Sequence, residues 1–276
     1  MAESGSWQTL VDGGESGEIV LAVDFDTTGR PEARFSDLVA NLQTDFGVWE
    51  SSPPPGGGAR ARTGADYIAH WAEPLAAERP KIKAVLGFCA GSVYAAALVE
   101  RIASWQQERP LLVIFDPEVS AAQTLMWQYH KVVGFMASVI SDEDVATARK
   151  AGAELHDRTP EIGALKDGLI ALIREIGEPA FTRVGLDEAR REELFSVFES
   201  FLCYLAAAAD IDPLDLWHDA VAFSSASPLS GLRAMRAAGV GGERLAVSRE
   251  IEIDVEHGVM LADKELAAAV SALLNG

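Results

Sequence analysis

The feature that most constrains the fold is a series of short apolar runs separated by helical patterns. Residues 18–25 read EIVLAVDF and residues 111–115 read LLVIF, both with almost no polar break. Such runs are typical of strands that are buried on both faces of a sheet. Between residues 18 and 115, strand and helix patterns alternate. This alternation predicts an α/β fold with a mostly parallel sheet flanked by helices.

Hydrophobic period and turn residues place the individual elements of this sheet domain. The predicted strands are residues 7–11, 18–25, 47–50, 82–86, 111–115, 220–223 and 245–255. The predicted helices around them are residues 35–46, 65–78, 92–107 and 263–274.

A different pattern occupies the middle of the chain, from residue 119 to about residue 216. It contains helical periods, clearest at 142–153, 161–176 and 186–209, and no convincing strand. We therefore expect residues 1–118 and 217–276 to form one α/β core. Residues 119–216 are expected to form an all-helical insert before the last strands, either a lid or a second small domain.

Composition excludes some classes of function. The 276 residues contain 42 Asp and Glu against 23 Lys and Arg, a formal net charge of −19. This acidity argues against nucleic-acid binding, which needs a basic surface. The N-terminus lacks the features of a signal peptide, and no apolar run is long enough to span a membrane, so we expect a cytoplasmic protein with no membrane partner. The two cysteines and five histidines show no metal-site spacing, so no metal is expected.

The sequence Gly87-Phe88-Cys89-Ala90-Gly91 carries the most specific chemical signal. It follows a predicted buried strand and opens a predicted helix, as in the G-x-S-x-G nucleophile elbow, with Cys in place of Ser. The backbone N–H of Ala90 would be one oxyanion donor, and the helix N-terminus would favour a thiolate. The alternative is a structural cysteine between two glycines that let a strand meet a helix.

Two further residues follow in the order that the elbow requires, nucleophile, acid and base. Asp116 ends the next buried strand, and His257 lies between the last strand and the C-terminal helix. The acid could also follow the next strand, but that loop, residues 224–228, contains no carboxylate. We therefore predict a triad of Cys89, Asp116 and His257. Asp116 and His257 also have non-catalytic interpretations. Asp116 could simply end a strand in a turn, and His257 could be a surface-loop histidine.

In these motifs the chain resembles the thioesterase family of nonribosomal peptide and polyketide synthases, as a Cys-nucleophile variant. The similarity rests on GFCAGS for the elbow, LLVIFDPE for the acid strand and HGVML for the base, in that order. The resemblance implies an α/β-hydrolase fold in which residues 119–216 are an all-helical lid inserted before the last strands. It also implies an acyl substrate carried on the phosphopantetheine of an acyl or peptidyl carrier protein, and no other cofactor. The family's oxyanion loop corresponds here to DFDTTG, where a backbone N–H of Thr27 or Thr28 is expected to complete the hole. Two aspartates in that loop would oppose an oxyanion if they faced it.

The resulting hypothesis is transfer of an acyl or peptidyl group to Cys89, then release by hydrolysis, cyclisation or transfer. His257, held by Asp116, either keeps Cys89 ionised or takes its proton. An acyl-cysteine is itself a thioester, so it keeps the activation of the acyl group and favours onward transfer. Four arginines could form a local basic patch for an acidic carrier protein: Arg30, Arg34, Arg60 and Arg62.

Three alternatives stay open at this point. The chain could shuttle acyl or aminoacyl groups between carrier proteins, or be a small-molecule α/β-hydrolase with a Cys nucleophile. It could also be a non-catalytic binding protein with the same fold, which the ordered Cys, Asp and His argue against. The second cysteine, Cys203, lies in an apolar helical segment and is interpreted as a packed core thiol.

Overall fold

A computed structural model describes residues 5–14, 16–26, 32–43, 45–55 and 59–276. They divide into two compact units. The first takes in the described residues up to Pro54, then Gly64–Val119 and Ile211–Gly276. The second takes in Ser120–Asp210 and the described part of Pro55–Thr63.

The first unit is built on a seven-stranded sheet. Its strands are β1 (Trp7–Val11), β2 (Glu18–Val23), β3 (Gly47–Ser51), β4 (Lys81–Phe88), β5 (Leu111–Phe115), β6 (Val221–Ser224) and β7 (Arg249–Glu252). Their spatial order is β1-β3-β2-β4-β5-β6-β7. The edge strand β1 pairs antiparallel with β3, and the other neighbours pair parallel. The predicted fold, a mostly parallel sheet flanked by helices, is confirmed.

The helices fall into two groups. In chain order they are α1 (Phe35–Val39), α2 (Gly64–Glu78), α3 (Gly91–Ala103), α4 (Ala122–Met136), α5 (Asp142–Arg158), α6 (Ile162–Arg183), α7 (Glu188–Ala208), α8 (Gly231–Ala237) and α9 (Lys264–Asn275). Helices α4 to α7 belong to the second unit, and the others belong to the first.

Several predicted boundaries differ from the observed ones. Helix α1 ends at Val39 rather than at residue 46, because residues 40–42 turn and Phe46 is buried directly before β3. The last strand covers only Arg249–Glu252, since a short 3₁₀ turn and a loop precede it. Helices α4 and α8 were not predicted. The N-cap residues of both helices make no side-chain capping bond, and α8 has only seven residues, so their start signals are weak.

The core of the sheet is packed on both faces with aromatic side chains. On one face Phe115 stacks on Phe223 with ring centroids 5.4 Å apart and meets Phe35 edge-on. On the other face Trp71 packs edge-on against Tyr94, and both are buried. Burial of this kind supplies most of the stabilisation of a domain and fixes the central strands. The loops at their carboxyl ends therefore start from rigid positions.

Charged contacts connect the elements of the second unit. Arg60 binds Glu199 through two hydrogen bonds of 2.7 and 2.9 Å, and Arg174 binds Glu192 and also approaches Glu199. None of the helices that the structure describes is both long and apolar enough to cross a membrane. The role of this unit as a lid stays a prediction. Residues 211–216, assigned to the lid from sequence, lie in the first unit.

The seating of α3 on the sheet gives a test of the fold. A Cβ added at Gly91 would overlap the carbonyl oxygen of Val23, and one at Gly87 would lie 2.6 Å from the Cα of Ser92. We expect Gly91→Ala to lower the free energy of unfolding by about 1–3 kcal/mol, because backbone must move to make room. Urea unfolding followed by circular dichroism measures this. Gly5→Ala, at a site with nothing within 4 Å, is the control. Equal stability of the two variants would contradict the packing described.

Candidate active site

Cys89 occupies a sharp turn between β4 and α3. Its backbone φ is 51°, in the left-handed region that only glycine adopts without strain. Its N–H donates to the carbonyl of Phe115 at 3.0 Å, and its carbonyl accepts from the N–H of Glu118 at 3.2 Å. These two bonds to the neighbouring strand and its loop hold the turn in place.

Ala90 follows the cysteine and is buried at the start of α3. The proximity of its backbone N–H to the sulfur acts to lower the pKa of Cys89. The positive end of the α3 dipole lies at the same place. The amide therefore lies beside the sulfur, although its action as an oxyanion donor stays a prediction.

Asp116 and His257 are joined by a hydrogen bond. Nδ1 of His257 lies 2.8 Å from Oδ2 of Asp116, whose side chain is only 1% exposed. Asp116 also has a left-handed backbone, with φ of 39°, and its N–H donates to the carbonyl of Phe223. The carboxylate can therefore fix the tautomer and orientation of the imidazole, as an acid does in a catalytic relay.

The loop after β6 holds this pair in place, a function that the sequence did not reveal. The N–H of Ser225 donates to Oδ1 of Asp116 at 2.8 Å, and the N–H of His257 donates to Oγ of Ser227 at 2.8 Å. The Ser227 hydroxyl in turn donates to Glu256. The loop contributes one backbone amide and one hydroxyl, so the absence of a carboxylate from residues 224–228 gave no sign of this function.

The ring of His257 rests on Phe88, the residue before Cys89. The two rings are stacked, with centroids 4.8 Å apart and an angle of 17° between planes. The His257 side chain remains 24% exposed. The Phe88 ring thus contacts one face of the imidazole, while Asp116 binds its Nδ1 atom.

Glu118 is the unexpected member of the site. The Cys89 thiol donates a hydrogen bond to Oε2 of Glu118 at 3.3 Å. Within the described residues no hydrogen bond joins this thiol to His257. The only sequence signal was a second carboxylate in the motif LLVIFDPE, two residues after Asp116.

The surroundings of the sulfur favour the protonated thiol. Burial raises the pKa of Cys89 well above its ordinary value, and the negative charges of Glu118 and Asp24 raise it further. The Ala90 amide acts in the opposite direction but does not compensate. Two states of Cys89 were considered from sequence: an ionised thiolate, and a thiol that gives up its proton during the reaction. The raised pKa favours the protonated thiol.

The predicted oxyanion loop is only partly described. Thr27 and Thr28 lie outside the described residues. Of the two aspartates before them, Asp24 is 7% exposed and accepts from the N–H of Phe25, while Asp26 pairs with Arg34 at 3.2 Å.

The remaining candidate residues lie elsewhere. Among the four arginines considered for a basic patch, Arg34 and Arg60 are each paired with a carboxylate, and Arg62 donates to a backbone carbonyl. Arg30 lies outside the described residues. Cys203 is 2% exposed in α7, and burial raises its pKa to about 11, as expected for a packed thiol. No group of His, Cys, Asp and Glu able to hold a metal occurs in the described part of the chain.

Comparison with known proteins establishes the fold class. No family model and no curated protein matches the sequence. The NocB thioesterase domain from the Nocardicin cluster matches with a TM-score of 0.56 and 17% identity, over 98% of this chain and 99% of that one. The Vlm2 thioesterase domain bound with a dodecadepsipeptide gives 0.52 and 14%, over 99% and 97%. A hydrolase from Oleispira antarctica, olei00960, also gives 0.52 and 14%, over 98% and 94%. The chain has an α/β-hydrolase fold, similar to that of thioesterase domains.

Alkylation of Cys89 tests its protonation state. Because the pKa of Cys89 is raised, the thiolate fraction is small at neutral pH and grows about tenfold for each pH unit. We expect the iodoacetamide rate at Cys89, followed by peptide mass spectrometry, to rise steadily from pH 6 to 9 without a plateau. Glu118→Gln removes a negative charge, so it should lower the pKa and speed alkylation at pH 7. A plateau below pH 8 in the wild type would contradict the protonated resting state.

Proposed function

We propose that this chain is an acyl-transfer enzyme of the thioesterase kind with a Cys89-His257-Asp116 triad. It takes an acyl or peptidyl thioester from a carrier protein and releases it by hydrolysis, cyclisation or transfer, in natural-product biosynthesis. One observation carries the proposal: Cys89 sits on a strained elbow beside the hydrogen-bonded Asp116–His257 pair. All three lie at the carboxyl edge of one sheet, where α/β proteins place their sites.

The first half-reaction forms an acyl-cysteine. The thiol turns from Glu118 toward His257, and Nε2 of the imidazole takes the Sγ proton as sulfur attacks the thioester carbonyl. Asp116 stabilises the imidazolium that results. The Ala90 N–H and a second amide stabilise the tetrahedral oxyanion. Collapse breaks the bond to the pantetheine sulfur, which leaves as a thiol after taking the proton from His257.

The second half-reaction passes the acyl group to an acceptor. His257 takes a proton from water, an alcohol, an amine or a thiol, which attacks the Cys89 thioester. The oxyanion collapses, and Sγ leaves with the proton from His257. Exchange of one thioester for another is nearly balanced in free energy, so the cysteine retains the activation of the acyl group. This chemistry favours transfer, including a shuttle between carrier proteins, over simple hydrolysis.

Two of the arginines considered from sequence have little charge to offer a carrier protein. Arg34 and Arg60 are already paired with Asp26 and Glu199. With a formal net charge of −19, the chain repels an acidic partner over long range. We infer that the phosphopantetheine arm and apolar contacts contribute more to docking than charge does.

Formation of the acyl-enzyme is the direct test of the nucleophile. We expect incubation with an acylated carrier protein to add one acyl mass to the peptide that contains Cys89, measured by mass spectrometry after a quench in acid. Cys89→Ala should form no adduct, because the attacking sulfur is missing. Cys203→Ala, which removes the buried second thiol, is the matched control and should label normally. Full turnover by Cys89→Ala would overturn the proposal.

Removal of the Asp116 charge tests the role of this residue in the proposed triad. Asp116→Asn keeps the size of the side chain but loses the charge that orients and stabilises the imidazolium, so kcat should fall by about 10²–10⁴. Steady-state release of the carrier thiol measures it. Asp219→Asn, at an exposed aspartate before β6, is the control and should keep its activity. A loss below about threefold for Asp116→Asn would remove this residue from the mechanism.

A further inference from the structure

The charges that act on the nucleophile are an unusual feature of this site. The Oε2 atom of Glu118 lies 3.3 Å from Sγ of Cys89. Asp24, at the end of β2, packs against the other side of the elbow, where a Cβ on Gly91 would lie 3.3 Å from its Cα. Its side chain is nearly buried and also acts electrostatically on the thiol. Both of these described charges are negative.

This arrangement opposes acylation by an uncharged acyl group. The reaction places negative charge at the same point twice, first on sulfur and then on the oxyanion. The Glu118 carboxylate, 3.3 Å from the sulfur, and the negative charge of Asp24 both disfavour these two states. Asp116 and the imidazole of His257 are engaged with each other, so the proton that His257 takes is already compensated. A substrate that brings its own positive charge would relieve the repulsion.

The position of Glu118 indicates where on the substrate that charge belongs. Acylation replaces the S–H that Glu118 accepts with an S–C bond, so this carboxylate loses that donor. In an α-aminoacyl-cysteine the α-nitrogen is three bonds from sulfur. Its distance from Sγ is therefore similar to that between Sγ and Oε2 of Glu118. An α-ammonium would therefore supply a new and charged donor at the place of the lost one.

We propose that Cys89 accepts α-aminoacyl groups with a free ammonium, and that Glu118 binds this ammonium. The inference rests on the proposed acyl transfer to Cys89 and narrows its substrate class. The bonds are those already described: Sγ–C forms, the pantetheine C–S bond breaks, and one proton moves from Cys89 through His257 to the leaving thiol. Glu118 stays a carboxylate throughout and exchanges an S–H donor for N–H⁺. The negative charge of Asp24 also attracts the ammonium.

Matched pairs of substrates test the proposal. Leucyl and 4-methylpentanoyl pantetheine thioesters differ only in the α-ammonium, as do alanyl and propanoyl thioesters. We expect the wild type to prefer the aminoacyl member of each pair by about 10–100-fold in kcat/KM, the range for a hydrogen bond to a charged group. Glu118→Gln keeps the shape and an acceptor but not the charge. It should remove most of that preference, measured as the ratio of kcat/KM within each pair.

The results separate this inference from the proposed function. Equal rates for the two members of each pair in the wild type would overturn the ammonium site, while an adduct on Cys89 would still support acyl transfer. A Glu118→Gln variant that loses both activities equally would show a structural role and overturn the inference. No adduct from any substrate would overturn both proposals.

If the Glu118→Gln variant does not fold, a measurement on the wild type alone still tests the ammonium site. The preference within each pair should shrink as pH rises through the pKa of the amine, about 8 or below, because a neutral amine is not attracted to the carboxylate. The ratio of two substrates cancels the ionisation of enzyme groups that act on both substrates equally. A preference that does not change between pH 6 and 9 would contradict recognition of a charge.

Discussion

Two neighbouring strands, β4 and β5, run directly into residues with left-handed backbone, Cys89 and Asp116. In each case the residue's N–H donates to a carbonyl at or next to the end of the neighbouring strand, Phe115 for Cys89 and Phe223 for Asp116. The hydrogen bonding of the parallel sheet thus extends by one residue into both turns and holds a conformation that costs free energy in isolation. The Ala90 amide, the Glu118 carboxylate and the bond to His257 all take their positions from these two turns.

The electrostatics of the site follow from the same geometry. Because the Glu118 N–H is bound to the carbonyl of Cys89, the Glu118 carboxylate is close to the thiol and accepts a hydrogen bond from it. The sulfur is therefore neutral at rest, although the helix N-terminus and Ala90 amide favour a thiolate. A protonated thiol is a poor nucleophile, so activation belongs to the state with substrate bound. This makes the charge of the substrate a part of the mechanism that we propose.

Much of the sheet domain could be predicted from sequence because its strands are short apolar runs that no other element resembles. The strand at Leu111–Phe115 was predicted at its observed limits, and the elbow followed from five residues between a strand and a helix. Helix α8 and the early end of α1 could not be predicted, because packing rather than local period decides where they stop. The groups that hold the Asp116–His257 pair were equally hidden, since backbone amides such as that of Ser225 occur in every sequence.

By itself, the sequence determined the order of the elements, the mostly parallel sheet and the candidates Cys89, Asp116 and His257, because apolar period and chain order are local properties. Only the tertiary structure decided the partners of those candidates. The 2.8 Å bond joins residues 116 and 257, and the thiol bonds to a carboxylate that follows a different strand. Such distances depend on how strands pair side by side, which residues far apart in the chain decide together. The protonation of Cys89 depends on them, since burial and neighbouring charge act through space.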